Sequence, residues 1–213
     1  MRKNTVKIMA LAGVLCLASV GGVSAYLTDY EKVSNEFTVG KVDIALDEPE
    51  WKPEENQKLE PSKVINKDPQ ITNTGTNDAF VYMEVSIPMA NVEAASENGE
   101  RLGKKMQELF TFDSKASWAQ MKAQTTENSR IYTYAYTKIL KPNETTEALF
   151  DTVKFINLVE GQLDGKPLEI PVRAYAIQTS YTGGSSENLS EQIKAAYEKY
   201  VNQNRGQAGK VSE

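Results

Sequence analysis

Asp43, Asp47, Glu48, Glu50, Glu54 and Glu55 crowd into one short stretch of the chain, and a run of carboxylates is the donor set that calcium takes. The spacing is not that of an EF-hand loop, and Pro49 and Pro53 stiffen the run. On an acidic protein such a segment reads as a solvated loop, so no metal is assigned to it. Other chemistry is limited by what is missing. The chain has no histidine, the usual neutral base near pH 7 and the commonest metal ligand, and its one cysteine is Cys16. No Ser-His-Asp or Cys-His arrangement and no paired-histidine zinc site can be built. A glycosidase needs two facing carboxylates in an aromatic cleft, and no spacing ties the acids to Trp51 or Trp118, the two tryptophans. "GGSSE" around Ser185 fails the nucleophile-elbow pattern at Glu187, and "GQLDGK", Gly161 to Lys166, is one residue short of a phosphate loop. Both read as turns. No catalytic residue and no cofactor is assigned.

The elements that would position a site are mostly strands. "NEFTVGKVDIAL" alternates through Phe37, Val39, Val42, Ile44 and Leu46, with one slip of parity at Gly40-Lys41 that suggests a kinked strand. The proline-rich acidic run "DEPEWKPEENQKLEP" is loop material. "SKVINKDPQITNTG" and "AFVYMEVSIPM" read as two strands joined by a glycine-containing turn, the second placing Val81, Met83, Val85 and Ile87 on one face. Leu102, Met106, Leu109 and Phe110 stand at helical spacing and suggest a short amphipathic helix, with a further helical turn at Trp118 to Met121. Strands return in "SRIYTYAYTKIL", "ALFDTVKFINLV" and "LEIPVRAYAIQTSY". At the end, Asn188 and Glu191 form a capping-box pattern before the stripe Leu189, Ile193, Tyr197, Tyr200 and Val201, a helix that packs on a sheet. The expected fold is all-β, a jelly-roll-like β-sandwich with peripheral short helices and a C-terminal amphipathic helix.

The N-terminus has a separate logic. Arg2, Lys3 and Lys7 precede the apolar run Ile8 to Val20, which ends in the small residues Val23-Ser24-Ala25. That order is a secretory signal peptide, and the run is shorter than the roughly 20 residues that span a bilayer. Cleavage is expected between Ala25 and Tyr26. Leu15 stands before Cys16 where a lipoprotein needs a small residue, so no lipid anchor is expected. The expected organisation is residues 1–25 as signal peptide, 26–202 as a single β-sandwich domain and 203–213 as a flexible tail. The mature chain would carry no cysteine and no membrane span, and its stability would rest on its core alone. With 29 acidic against 24 basic residues the net charge is −5, and loss of the basic N-terminus makes it more negative. Such a balance disfavours nucleic acid and anionic lipid and suits a soluble extracellular protein.

"GGVSAYLTD" resembles the G-G-T-x-A-aromatic-x-(S/T/N)-D signature at the cleavage region of proteins processed by the specialised signal peptidase SipW, the TasA/camelysin family. "NEFTVGKVDIAL" and "EPSKVINKDPQITNTGTNDAFVYMEV" resemble that family's next elements, so the likeness is good over residues 21–46 and 59–87 and faint from Asn91 to Glu160. Val23 replaces the usual threonine and Pro61-Ser62 a Pro-Gly-Asp turn, departures that touch processing more than fold. The resemblance implies a jelly-roll domain, secretion and, in fibre-forming members, assembly of the biofilm matrix. There the freed N-terminal segment completes a sheet in the next subunit.

Here that connector would be Tyr26, Leu27, Tyr30, Val33 and Phe37, with Asp29, Glu31 and Lys32 facing water. A strand given in trans satisfies open edge N–H and C=O groups and places alternate side chains in pockets. The alternative is an arm that stays on its own subunit. The first functional expectation is therefore a secreted, non-catalytic structural protein of the extracellular or biofilm matrix. Its partners would be further copies of itself and accessory matrix proteins, with signal peptidase during export. A camelysin-like peptidase is the second reading, disfavoured because a site built of carboxylates alone matches zinc poorly. The third is an adhesive module presenting Trp51 to a glycan or protein.

Overall fold

The structure, a computed structural model, describes residues 41–52, 59–163 and 167–204. Ten strands and a helix follow in the order β1 (Ile44–Asp47), β2 (Val64–Asn66), β3 (Gln70–Asn73), β4 (Ala79–Ala95), β5 (Arg101–Glu108), β6 (Phe110–Thr111), β7 (Trp118–Thr125), β8 (Ser129–Tyr136), β9 (Thr152–Phe155), β10 (Val172–Gln178) and α1 (Leu189–Asn204). Every pairing is antiparallel. The largest sheet runs β10-β4-β8-β7, with β5 on the far half of β4, and smaller sheets run β2-β9-β6 and β1-β3.

β4 organises the core because both of its faces are apolar near its start. Val81, Met83, Val85 and Ile87 are fully buried against Ile65, Phe110, Val153 and Phe155 of the β2-β9-β6 sheet and Ile71 of β3. Each side chain of this size contributes about 1.5–3 kcal/mol by leaving water. Phe80 and Tyr82 point the other way and pack with Ile177 of β10 under Ile193 and Ala196 of α1. Tyr82 donates its hydroxyl to the Ile193 carbonyl at 2.7 Å, and its ring lies 5.1 Å from that of Tyr197. The expected stripe of α1 thus meets the sheet. The helix starts at Asn188, whose Oδ1 accepts the Ser190 N–H at 2.9 Å. The Glu191 carboxylate does not reach back directly. It takes the Ser186 hydroxyl, and that oxygen accepts the Asn188 N–H at 3.1 Å, so the capping box closes through a serine.

Several expectations change. Residues 101–108 form a strand rather than a helix, held along β4 from Met89↔Glu108 to Ala95↔Arg101. Leu102 and Met106, two members of the supposed helical stripe, are exposed, whereas Leu109 and Phe110 beyond the strand are buried. The hairpin comes from Asn98-Gly99: the Gly99 N–H bonds to the Ser96 carbonyl at 3.0 Å and Gly99 takes φ +85°, a turn followed by a left-handed residue. Trp118 to Met121 is likewise strand, the start of β7, with the Trp118 indole N–H on the Glu147 carbonyl at 3.0 Å. Among the described residues α1 is the single helix, so the expected peripheral helices are absent there. β3 and β4 are not a hairpin either. The turn between them carries the chain from the β1-β3 sheet to the large sheet. Asn73 ties that turn, donating to the carbonyls of Asn77 and Leu140 and accepting the Gly75 N–H. A side chain at Gly75 would meet the Lys41 carbonyl oxygen at 2.4 Å, so only glycine lets the two backbones approach. β1 itself is shorter than the expected strand, and Phe37 and Val39 lie outside the described residues.

Candidate functional site: the acidic loop and the open strand edges

The carboxylates after β1 do not converge. Asp43 pairs with Lys41 at 2.6 Å on the surface, and the Lys41 ammonium, by hydrogen bond and charge, holds the Asp43 carboxyl below its usual range. Glu48 turns instead to Lys67, whose ammonium donates to both carboxylate oxygens at 2.6 and 2.7 Å. Asp68, also buried, accepts the Glu50 N–H at 2.8 Å and a Gln70 amide N–H at 3.1 Å. Glu54 and Glu55 lie outside the described residues.

This anchorage fixes Trp51. Its N–H bonds to the Glu48 carbonyl at 3.1 Å, and the Lys67 ammonium sits 5.4 Å from its ring centroid. A cation over one face leaves the indole 36% exposed, so it caps the Lys67–Glu48 pair as much as it faces solvent. The other nominated residues, Ala25, Tyr26, Leu27, Tyr30, Val33 and Phe37, lie outside the described residues. Ser185 stands on an exposed turn, consistent with its reading as a turn residue.

A second group of ionised side chains surrounds Trp118. Lys138 donates to Glu147 at 3.3 Å, and Lys115 pairs with Asp151 at 2.6 Å. The Lys138–Glu147 hydrogen bond, with the charges of the pair, holds the Glu147 carboxyl low and the Lys138 ammonium high. Both are surface ion pairs, and in the Lys138–Glu147 pair the contact favours the charged forms, so Glu147 is no general acid at neutral pH. A shallow cleft of about 520 Å³ opens between the β4–β5 hairpin and the β2-β9-β6 sheet, with Ser62, Glu97, Thr111, Lys154 and Asn157 as its polar lining. No hydrogen bond joins its Ser62 or Thr111 hydroxyl to Glu97 or Lys154.

Sequence reasoning missed several exposed apolar side chains, Val64 and Ile139 among them. Leu102 and Met106 are more than half exposed on β5, and Tyr181, in the turn between β10 and α1, is 97% exposed at φ +63°. The visible signal for the turn was the Gly183-Gly184 pair after it; nothing in the local pattern gave the exposure of the ring. Several strand edges are also open among the described residues: β5 and β10 each pair with β4 alone, β7 with β8 alone, and β2 and β6 each with β9 alone. Backbone donors and acceptors along such edges are templates for another chain unless charge or irregularity blocks them.

Among the described residues, then, the protein is mostly β, with antiparallel sheets and a single helix packed on the largest, and the described surface offers open edges and exposed apolar side chains rather than a reactive constellation. The family model described as Camelysin metallo-endopeptidase matches residues 2–130, more than half of the chain, and the chain belongs to this TasA/camelysin family. No curated protein and no solved structure matches it.

The family description implies a catalytic metal. Zinc sites draw on histidine nitrogen, cysteine sulfur and at most part of their set from carboxylates. This chain has no histidine and only Cys16, and among the described residues no three of His, Cys, Asp and Glu come together. Glu48 and Asp43 are instead drawn onto lysines. The residues present do not fit a zinc hydrolase centre. No helix among the described residues is long and apolar enough to cross a membrane.

Proposed function

We propose that this protein is a secreted, non-catalytic structural subunit of an extracellular or biofilm matrix, a jelly-roll domain that assembles with further copies of itself through its mature N-terminal segment. The observation that carries the reading is the donor inventory. A family described by a metallo-endopeptidase name is represented here by a chain without histidine, whose single cysteine lies at position 16. The open edge of β7 supports the assembly side of the reading, since an added strand finds unpaired N–H and C=O groups there. Tyr26, Leu27, Tyr30, Val33 and Phe37 are the side chains of the connector, released when the chain is cut after Ala25.

The family description favours peptidase activity as the second reading. Casein separates the two. Under the structural reading the secreted protein leaves casein intact in the presence of zinc, calcium or manganese, while removal of Tyr26 to Lys32 abolishes its assembly. Chelator-sensitive cleavage that is lost with a carboxylate substitution would establish the peptidase reading instead.

A further inference from the structure

We propose that the Tyr181 loop and strand β5 are the two halves of a head-to-tail contact between copies of this chain. The inference rests on the assembly reading above and adds to it a contact independent of the N-terminal segment.

The two features stand at opposite ends of the longest strand. β4 has 17 residues, on the order of 55 Å of extended chain. Its first residue pairs with the last of β10, Ala79↔Gln178, and the Thr179 N–H bonds to the Asp78 carbonyl at 3.0 Å, which places the Tyr181 loop beside the start of β4. β5 runs along the other end, from Met89 to Ala95.

The loop is built to hold its tip. Thr182 donates its hydroxyl to the carbonyls of Gln178 and Thr179, and the Lys199 ammonium donates to the Tyr181 carbonyl at 2.6 Å. A side chain at Gly183 would meet the Gln192 Cβ at 2.8 Å, so the loop lies directly on α1. Within this frame Tyr181 takes a left-handed backbone, which a residue with a Cβ disfavours, and its ring is 97% exposed. A fixed backbone with a solvated aromatic side chain is the arrangement of a contact anchor, because the ring loses little freedom on docking.

The other end supplies the complement. Leu102 and Met106 are 54% and 51% exposed, and a thioether beside an aromatic ring is a favourable contact. Between them lie Lys104 and Lys105, exposed and without an ion pair among the described residues. Asp78 and Glu187 flank the Tyr181 loop, also exposed and unpaired there. Lys104 and Lys105 complement Asp78 and Glu187. Glu97 and Glu100 at the tip of the same hairpin and Lys199 beside Tyr181 carry the reverse charges, so the attraction is between these named residues and not between whole ends. Two β5 strands would set lysine against lysine. Gly103, at φ +76°, and the register shift beside Ala95 break the regular edge of β5, so the contact is made by side chains rather than by a backbone ladder. A contact between unlike ends of one molecule does not close on itself, and it propagates as an open filament unless rotation closes a ring.

The test mixes isotopically light and heavy secreted protein at assembling concentration, couples amines to carboxylates with a carbodiimide and identifies mixed-isotope cross-links by mass spectrometry. Cross-links from Lys104 or Lys105 to Asp78 or Glu187 are expected. Tyr181→Ser, folded by circular dichroism, is expected to raise the concentration of half-assembly about tenfold, the scale of a single contact anchor. Lys104→Glu with Lys105→Glu is expected to block assembly, and Asp78→Lys with Glu187→Lys on the same chain to restore it. Wild-type assembly without those cross-links, together with unimpaired assembly of Tyr181→Ser, overturns the contact and leaves the assembly reading standing. Wild-type protein that stays monomeric at every concentration overturns both.

Discussion

Replacing Lys67 with methionine removes the charge that anchors the acidic loop while keeping the length of the side chain. Two ammonium hydrogen bonds to Glu48, at 2.6 and 2.7 Å, are lost, and with them the cation over Trp51 at 5.4 Å. The lysine and glutamate side chains are 11% and 20% exposed, between the surface and the interior. Breaking a buried pair costs about 3–5 kcal/mol and an exposed one about 0–1 kcal/mol, so this pair falls near 2 kcal/mol, with about 0.5–1 kcal/mol more from the aromatic contact. The assay is urea unfolding followed by far-UV circular dichroism. Acrylamide quenching of tryptophan emission gives a second readout, because Trp118 is buried and Trp51 is the accessible one of the two tryptophans. The variant is expected to unfold at lower urea and its emission to quench more readily. Stability within about 0.5 kcal/mol of the parent, with unchanged quenching, would refute the idea that Lys67 holds the loop.

Gly75→Ala places a Cβ against the Lys41 carbonyl and the Asp43 N–H, and overpacking of backbone on backbone is expected to lower stability by about 1–3 kcal/mol, read from a urea midpoint. Asn188→Ala removes the cap of α1 and should cost about 1 kcal/mol, visible as reduced helical ellipticity and a lower unfolding midpoint. Burial pushes the phenols of Tyr82, Tyr175 and Tyr200 above their ordinary value near 10, so above that pH the unfolded chain sheds protons that the folded one retains. Stability should therefore be flat with respect to these groups below pH 10 and fall as pH rises past it. Tyr82→Phe should flatten that fall, at the cost of the bond to Ile193, in a series of urea midpoints against pH.

The period-2 pattern of "AFVYMEVSIPM" was legible because β4 buries its odd-numbered side chains in one core, and the stripe on α1 because that helix meets one sheet. β5 was misread because Leu102, Met106 and Leu109 also satisfy helical spacing. What decided the matter was nonlocal: the far half of β4 takes β5 as its antiparallel partner, and Asn98-Gly99 supplies the turn. The same holds for β3, whose partner β1 lies some thirty residues earlier, so the intervening acidic loop hid the pairing. Composition excluded histidine chemistry without a structure, yet it could not show that Glu48 turns onto Lys67 or that Trp51 is half-covered by that lysine. Those outcomes depend on which strands become neighbours, as does the exposure of Tyr181, whose loop is fixed by contacts with a helix beginning eight residues later.

Self-association is the central claim, and the size distribution of the protein in solution tests it most directly. Sedimentation velocity across rising concentration should show a growing population of large species that disappears when Tyr26 to Lys32 are removed. A single monomeric boundary at every concentration, the same with and without those residues, would contradict the account.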